Sequence, residues 1–408
     1  MAREGKGPPS RRSLQRSGQK PSNARKKTKG ASGRFDWPCW CGPNGSGISQ
    51  EKGLLRKFPE DGPKVLWRAE LGTGNSGISV AAGRAFTLYG AEGRERVVCF
   101  DALSGRKIWE EDSDDDFAQG RSFGPRATPC VDGGRLYAVG ALGQLLCLEC
   151  ETGERIWSYN VYDKLGMQPH EEGLSPSPLI DGDTLIVLAG SVVLALDKDT
   201  GNERWKSLAE PMNHSSPKLA AIEGVRQLLV LSGSNIVGLS PKDGSELWRH
   251  PQQAVNIATP VVGPDDQIFT AAAYGYGCQL VKIAGGSARQ VYKNNALASH
   301  TGSAVLYGGK LYGCHDRVGT LKCVDFGSGD ELWESRAPGK AALIIADGQM
   351  ILLTESGELV LAPASADGFR PTATARVLEG TCFTAPSLAN GKLYLRSDQE
   401  LICLDMKK

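Results

Sequence analysis

The chain has 408 residues, enough for two or three ordinary domains or for one large closed ring. Its 51 glycines and 22 prolines, with few segments of helical period, predict many short strands joined by tight turns. No apolar stretch approaches the roughly 18 residues of a membrane span, so we expect no transmembrane segment. The net charge of +1 hides an uneven distribution, because residues 1–34 hold 11 Lys/Arg and one acid.

Residues 1–34 therefore form a basic tail, and the absence of aromatic residues predicts that it is disordered. No apolar region follows Arg11-Arg12, so we expect neither a twin-arginine signal nor another export signal or lipobox, and the chain as written predicts a cytoplasmic protein. A basic arm of this kind could also bind nucleic acid by releasing counterions.

Residues 35–62 form a second segment, which begins with FDWPCWCGPNGSGIS. Its Gly and Pro content excludes a regular helix or strand. The C-x-C at Cys39 and Cys41 is compatible with simple packing, with a local disulfide or with a reactive pair. We expect this leader to lie on the surface of the domain that follows it.

Residues 63–408 repeat with a period of about 44 residues, the spacing of a four-stranded propeller blade. Each unit has an alternating strand, a Gly turn and a Trp-ending strand, as in ETGERIW and DTGNERW. Two degenerate units place Tyr292 and Val377 at the Trp position. The Trp positions of the repeat are Trp67, Trp109, Trp157, Trp205, Trp248 and Trp333.

The repeats predict an all-β, eight-bladed β-propeller of four-stranded antiparallel blades in a single domain. Seven units are complete, and the eighth stops after three strands near residue 405. Its missing strand is PKVLWRAEL at residues 63–71, which places Trp67 at the repeat spacing before Trp109. An N-terminal strand that completes the last blade closes the ring and removes its exposed edges.

The repeated aromatic and thiol positions are predicted to be structural. The tryptophans are expected to wedge between neighbouring blades rather than to hold a cofactor. Four cysteines share one strand position with Ala195, Gly238, Val281 and Leu361, which indicates a small apolar plug: Cys99, Cys147, Cys323 and Cys403. We expect no metal site, since the acidic run at 110–117 lacks the Gly and Glu of a calcium loop and is better explained as a solvated loop.

The T-G-x-x-x-W units resemble the pyrroloquinoline quinone (PQQ) repeat of quinoprotein dehydrogenases and of BamB-type outer-membrane assembly propellers. The motifs DWPCWCGPNGSGIS at 36–49, FGPRATP at 123–129 and VNIATPVV at 255–262 resemble planctomycete-type PQQ-binding-like propellers. This resemblance implies a leader laid against the ring, with Trp37 and Trp40 as anchors. It also implies export to the cell envelope, which the basic tail does not support.

Polar residues at the starts of the repeats, with loop residues beside them, are expected to meet at one mouth of the channel. There they either bind a ligand or fill the channel with polar contacts. The residues are Arg126, Glu171, Asn213, His214, Asn256, Tyr274, Tyr276 and His300.

The leading functional interpretation is a non-catalytic, monomeric binding or scaffold module for protein or peptide partners, without a cofactor or catalytic residues. The first alternative is a quinoprotein-type oxidoreductase that uses PQQ with calcium. The second is a propeller associated with nucleic acid through its tail. Repeat motifs specify a fold far more strongly than a function, so the sequence leaves all three open.

Overall fold

The computed structural model describes Met1 and residues 34–119, 122–208, 214–252, 255–300 and 302–408. Within these ranges the strands form eight antiparallel blades, each containing the predicted four-stranded meander. The all-β, eight-bladed propeller is therefore confirmed. Blades are numbered along the chain from the first complete unit, and the strands of each blade are named a to d from the channel outward.

In the order a to d, blade 1 contains Ser79–Ala81, Arg84–Ala91, Arg94–Asp101 and Lys107–Asp115, and blade 2 contains Cys130–Asp132, Arg135–Val139, Gln144–Glu149 and Arg155–Asn160. Blade 3 contains Leu179–Asp181, Thr184–Ala189, Val192–Asp197 and Glu203–Leu208, and blade 4 contains Lys218–Ile222, Val225–Ser232, Asn235–Leu239 and Glu246–Pro251. Blade 5 contains Val261–Val262, Gln267–Ala272, Gly277–Ala284 and Ser287–Asn294, and blade 6 contains Val305–Tyr307, Lys310–His315, Thr320–Asp325 and Glu331–Ser335. Blade 7 contains Ala341–Ala346, Gln349–Thr354, Glu358–Pro363 and Ala373–Arg376, and blade 8 contains Ser387–Ala389, Lys392–Arg396, Glu400–Asp405 and Val65–Glu70.

Four short elements of the described ranges lie outside the meanders. Ile48–Ser49 pairs in parallel with strand a of blade 7, and Ala118–Gln119 pairs with Ser122–Phe123 beside the mouth. The short helix Val161–Leu165 follows blade 2, where the Asn160 side chain accepts hydrogen bonds from the first N–H groups of the helix.

The last blade is closed by the N-terminal strand, as predicted. Val65–Glu70 runs antiparallel to Glu400–Asp405, and Trp67 lies opposite Cys403. The strand therefore covers what would otherwise be an unpaired edge.

The repeated tryptophans connect each blade to the next one. The indole N–H of Trp67, Trp109 or Trp157 donates to a backbone carbonyl in the turn between strands c and d of the following blade, at 3.0–3.2 Å. The repeat glycine of that turn has a positive φ, and a Cβ on Gly153 would come within 2.7 Å of the Trp109 ring. The Gly and Trp of the repeat are thus two halves of one interblade contact.

The small residue of each repeat lies directly beneath this indole. Cys147 pairs across strands with Trp157, Ala195 occupies the same place opposite Trp205, and both are fully buried. Burial raises the pKa of Cys147 to about 11, so the thiol is neutral. The predicted plug position is confirmed in seven blades. In blade 5 the residue opposite Tyr292 is Leu280 and not Val281, which pairs with Gln290, so the prediction was off by one residue there.

Two further local predictions were wrong. In blade 7 the residue opposite Leu361 is Ala373, whereas Val377 lies beyond the end of strand d, because the strand begins four residues earlier than the repeat spacing implied. The acidic run at 110–117 is not a solvated loop, since strand d of blade 1 continues to Asp115, and Asp114 accepts hydrogen bonds from the backbone N–H groups of Leu142 and Gln144 in blade 2.

The leader is not a surface segment but a plug at one end of the channel. The Trp37 backbone exchanges two hydrogen bonds of 2.8 Å with Val80 in blade 1, and its side chain is only 3% exposed. Trp40 donates its indole N–H to Thr259 Oγ1 at 2.9 Å on the opposite side of the ring. The segment then returns to blade 7 through Ile48–Ser49. The inner edges of strands a present backbone N–H and C=O groups that are not paired within the blades. An irregular segment inside the channel can therefore form its backbone hydrogen bonds with them.

A buried arginine joins blade 8 to blade 1. Arg396 is 1% exposed, and its guanidinium donates to Ser76 O, Leu88 O and Gly74 O, and to Thr87 Oγ1, at 2.7–3.2 Å. Burial lowers its pKa to about 10, so the group keeps its charge at neutral pH. The charge is stabilised by carbonyl dipoles across the seam of the ring.

We expect Arg396→Met to lower the free energy of unfolding by about 2–3 kcal/mol, because the substitution leaves buried carbonyls without a donor. The matched control is Arg68→Met in the same blade. The Arg68 side chain is 47% exposed and pairs with Glu400, so its loss should cost under about 1 kcal/mol. Urea titrations of both variants measure the difference, and equal losses would contradict a seam held by Arg396.

Candidate functional site at the open mouth of the channel

Among the residues that the structure describes, two cavities lie along the channel. The first, of about 290 Å³, lies between the leader and strands a at the plugged end. The second, of about 1080 Å³, opens at the other end, where the connections between blades meet. Trp40 lines both cavities and therefore separates them.

The first group of polar residues at the open mouth belongs to the connections before blades 2 to 4. His214 Nε2 lies 2.6 Å from Glu172 Oε2, and its Nδ1 lies 2.9 Å from Ser175 Oγ. Arg126 donates to the carbonyl oxygen of Glu172 and lies over the ring of Phe117. These contacts hold the loop at 170–175 against the start of blade 4.

Burial decides the charges of this first group. It lowers the pKa of His214 despite the neighbouring Glu172, so at neutral pH a neutral ring donates from Nε2 to the carboxylate and accepts from the Ser175 hydroxyl at Nδ1. Burial also lowers the pKa of Arg126, partly offset by Glu172 and Glu95. It raises the pKa of Glu95, behind the mouth, to about 8, so this carboxyl is mostly protonated at pH 7.

The second group lies on blades 5 and 6. Tyr274 has a left-handed φ of 57°, and its backbone N–H donates to Asp316 Oδ2. This unusual backbone conformation directs the phenol toward His300, whose Nε2 lies 3.3 Å from the Tyr274 hydroxyl. Burial lowers the pKa of His300, so it too is neutral at pH 7.

The structure brings most of the predicted mouth residues together. Five of them line the large cavity: Arg126, Glu171, His214, Tyr274 and His300. Tyr276 lies in the same turn as Tyr274 but does not line the cavity, and it is 48% exposed. Asn213 lies outside the described residues.

Asn256 was wrongly expected at the mouth. It is fully buried, its carbonyl accepts from the backbone N–H groups of His214 and Ser215, and its side-chain oxygen accepts from Gln252. It therefore supports the strand that carries His214 without reaching the cavity.

Sequence reasoning missed further charged residues of the mouth, and these determine its character. They lie in connections that carry no repeat signature, and include Glu172, Asp316, Arg317, Lys340 and Glu355. The position of each within its own unit could have indicated them, since they follow strand b or precede strand a as the predicted residues do. Within the described ranges, no three His, Cys, Asp or Glu side chains are grouped so as to hold a metal ion.

Fold and site together define a closed eight-bladed propeller with one plugged end and one open, highly charged mouth. The family model for the outer membrane protein assembly factor BamB matches residues 51–164 and 93–335. The chain belongs to this family of PQQ-repeat propellers.

Curated relatives match only short parts of the chain. BamB of Xanthomonas campestris pv. campestris is 32% identical over 89 residues, 21% of this chain and 21% of that protein. A quinoprotein ethanol dehydrogenase of Pseudomonas putida is 28% identical over 90 residues, 22% of this chain and 14% of that protein. The matched segments thus span about a fifth or less of these relatives' lengths.

Solved structures share the fold over most of the chain. BamB of Moraxella catarrhalis has a TM-score of 0.62 at 17% identity, covering 84% of this chain and all of that one. A quinohemoprotein alcohol dehydrogenase of Comamonas testosteroni has a TM-score of 0.70 at 12% identity, covering 91% of this chain and 80% of that one. Among the described residues, no helix has the length and apolar character that a bilayer crossing requires.

Proposed function

We propose that this protein is a non-catalytic binding module that holds a polypeptide segment at the open mouth of its channel. The observation that carries the proposal is the nature of the large cavity, which combines a volume of about 1080 Å³ with charged side chains of both signs. Sites for small molecules are typically about 300–1,000 Å³ and mostly apolar.

The contacts at the mouth suit a polypeptide for two reasons. Arg317 and Lys340 can pair with carboxylates, while Glu171 and Glu355 can pair with ammonium and guanidinium groups, so a chain of mixed charge finds partners along the cavity. Tyr274 is 58% exposed at the rim, and tyrosine and arginine are the residues enriched in protein interfaces.

Family membership supports the same class of function. The matching family is named for a factor in outer membrane protein assembly, a role in which proteins are the partners. The side chains at the mouth are already held in place by the ring, so they would bind a partner with little reorganisation. A low cost of reorganisation suits a scaffold.

The test is selection of binding peptides from a random library against the purified full chain, followed by titration of the best peptide by fluorescence anisotropy. We expect Arg317→Ala and Tyr274→Ala each to weaken binding by about tenfold, as truncation of interface anchors does. The matched control is Arg226→Ala, an exposed arginine paired with Asp181 on blade 3 and remote from the mouth. Equal binding by all three variants would contradict binding at the mouth.

An oxidoreductase is the second candidate, because quinoprotein dehydrogenases are among the relatives. The residues at the mouth do not fit a calcium-bound quinone: Glu172 is held by His214, and Asp316 by the backbone of Tyr274. A calcium ion needs six to eight oxygen ligands. Dye reduction with alcohols after addition of PQQ and calcium, lost with a chelator, would overturn the proposed non-catalytic role.

A further inference from the structure

Three cysteines meet at the plugged end of the channel. Cys39 and Cys41 belong to the leader and line the cavity of about 290 Å³. Cys130 begins strand a of blade 2 and is 4% exposed. The backbone N–H of Val131 donates to Pro38 O at 2.8 Å, so the two chain segments are in direct contact at the residues next to Cys39 and Cys130.

The contacts of the three thiols distinguish the pair Cys39–Cys130 from the pair Cys39–Cys41. The side chains of Cys39 and Cys130 interact across this backbone contact, and all three cysteines are free thiols in the structure. Cys41 has a left-handed φ of 57°, and burial raises its pKa to about 12, which leaves it a poor nucleophile. The sequence had suggested Cys39 and Cys41 as a local pair, whereas the structure gives Cys39 a different partner.

A half-buried cation lies beside this pair. The Lys218 ammonium donates to the carbonyl oxygens of Asn44 and Gly45 in the leader. The interaction with Cys130 lowers the pKa of Cys39, burial opposes this, and the charge of Lys218 lowers it further. The neutral Cys39 thiol donates to Gly42 O at 3.1 Å, a contact that ionisation must replace. The same interaction raises the pKa of Cys130.

We propose that Cys39 and Cys130 are a redox-active thiol pair that a hydroperoxide oxidises to a disulfide, which fastens the leader to blade 2. In the first step the Cys39 thiolate attacks hydrogen peroxide, the O–O bond breaks, and sulfenic acid and hydroxide form, the latter leaving as water. In the second step the sulfur of Cys130 displaces the sulfenic hydroxyl as water and forms the S–S bond. Overall, two thiols and one peroxide give one disulfide and two waters.

A small oxidant can reach Cys39 at the plugged end of the channel. The Cys39 side chain is half-buried and lines the cavity of about 290 Å³, whose lining also includes the polar side chains of Lys218 and Thr259. The disulfide would form at the opposite end of the channel from the mouth, so this inference does not depend on the proposed binding function.

The experiment treats the reduced full chain with hydrogen peroxide, blocks the remaining thiols by alkylation and maps disulfides by mass spectrometry. We expect a Cys39–Cys130 crosslink and a higher melting temperature. In Cys130→Ser, Cys39 should accumulate as sulfenic acid that a dimedone probe traps. Cys314 is the internal control, because it is also half-buried but its pKa is raised to about 11. Cys39 should react at least about tenfold faster.

Lys218 provides a further check of the mechanism. Lys218→Met should slow the formation of the trapped sulfenic acid at Cys39, by about tenfold for each unit that the pKa of Cys39 rises. Lys218→Arg should restore most of the rate. A Cys39–Cys41 crosslink, or reaction of Cys39 no faster than that of Cys314, would overturn the proposal. A crosslink that forms equally fast in Lys218→Met would overturn the part assigned to the lysine.

Discussion

Removal of residues 1–72 is expected to give a chain that aggregates instead of folding. The deletion takes away Val65–Glu70, and the edge of Glu400–Asp405 then presents unpaired N–H and C=O groups. It also removes Trp67, whose ring packs against Phe100 and Tyr394. Blade 8 would lose its outer strand together with the Trp67 contact to blade 1. Size-exclusion chromatography and thermal melting of the purified chains measure the outcome.

Two shorter deletions separate the contributions. Removal of residues 1–34, which contain no aromatic side chain, should leave the melting temperature nearly unchanged. Removal of residues 1–62 keeps the closing strand but empties the plugged end, so we expect a soluble ring that melts at a clearly lower temperature. A cooperatively melting, monomeric product from the longest deletion would contradict closure by the N-terminal strand.

The second large effect concerns tryptophans in two different settings. Trp205→Ala should lower the free energy of unfolding by about 3–5 kcal/mol, the cost of deleting a packed aromatic side chain. Its indole donates to Pro241 O at 3.1 Å and packs against Gly244 of the next blade. We expect a similar loss for Trp37→Ala, although Trp37 belongs to no blade. It is buried in the same core cluster as Trp67 and closes against Gly42.

Trp40→Ala is the matched control, because it removes the same side chain from the same leader. Trp40 is only half-buried and borders a cavity on each side, so the loss should be clearly smaller. Urea titration of the three variants gives the order. A loss at Trp37 as small as that at Trp40 would mean that the leader adds little to the core.

The sequence was sufficient for the fold because the fold is repetitive. Each blade must place an indole on the glycine turn of the next one, so the Gly and Trp recur at blade spacing, as Trp109 on Gly153 shows. The missing eighth strand could be assigned to residues 63–71 for the same reason. Where a unit lost its Trp, as near Val377, the spacing alone misplaced the position by four residues.

The candidate site was predictable only in part. Arg126, His214 and His300 occupy equivalent places in their units, and equivalent places in a ring converge on one mouth. Their partners could not be assigned, because Glu172 and Asp316 lie in connections whose length and sequence differ from blade to blade. Asn256 occupies an equivalent place as well, but the backbone there turns its side chain into the protein.

Periodicity in the sequence alone thus determined the ring, its eight blades, its closing strand and the end at which the mouth lies. Only the tertiary structure decided what fills the channel and seals the seam. Trp40 reaches Thr259 across 219 positions, and Arg396 reaches Thr87 across 309. Each of these contacts occurs once and joins segments that share no sequence pattern. Sequence periodicity therefore does not predict them. They form because the closed ring brings the two partners of each contact together. The polar groups buried there need hydrogen-bond partners, and these contacts supply them.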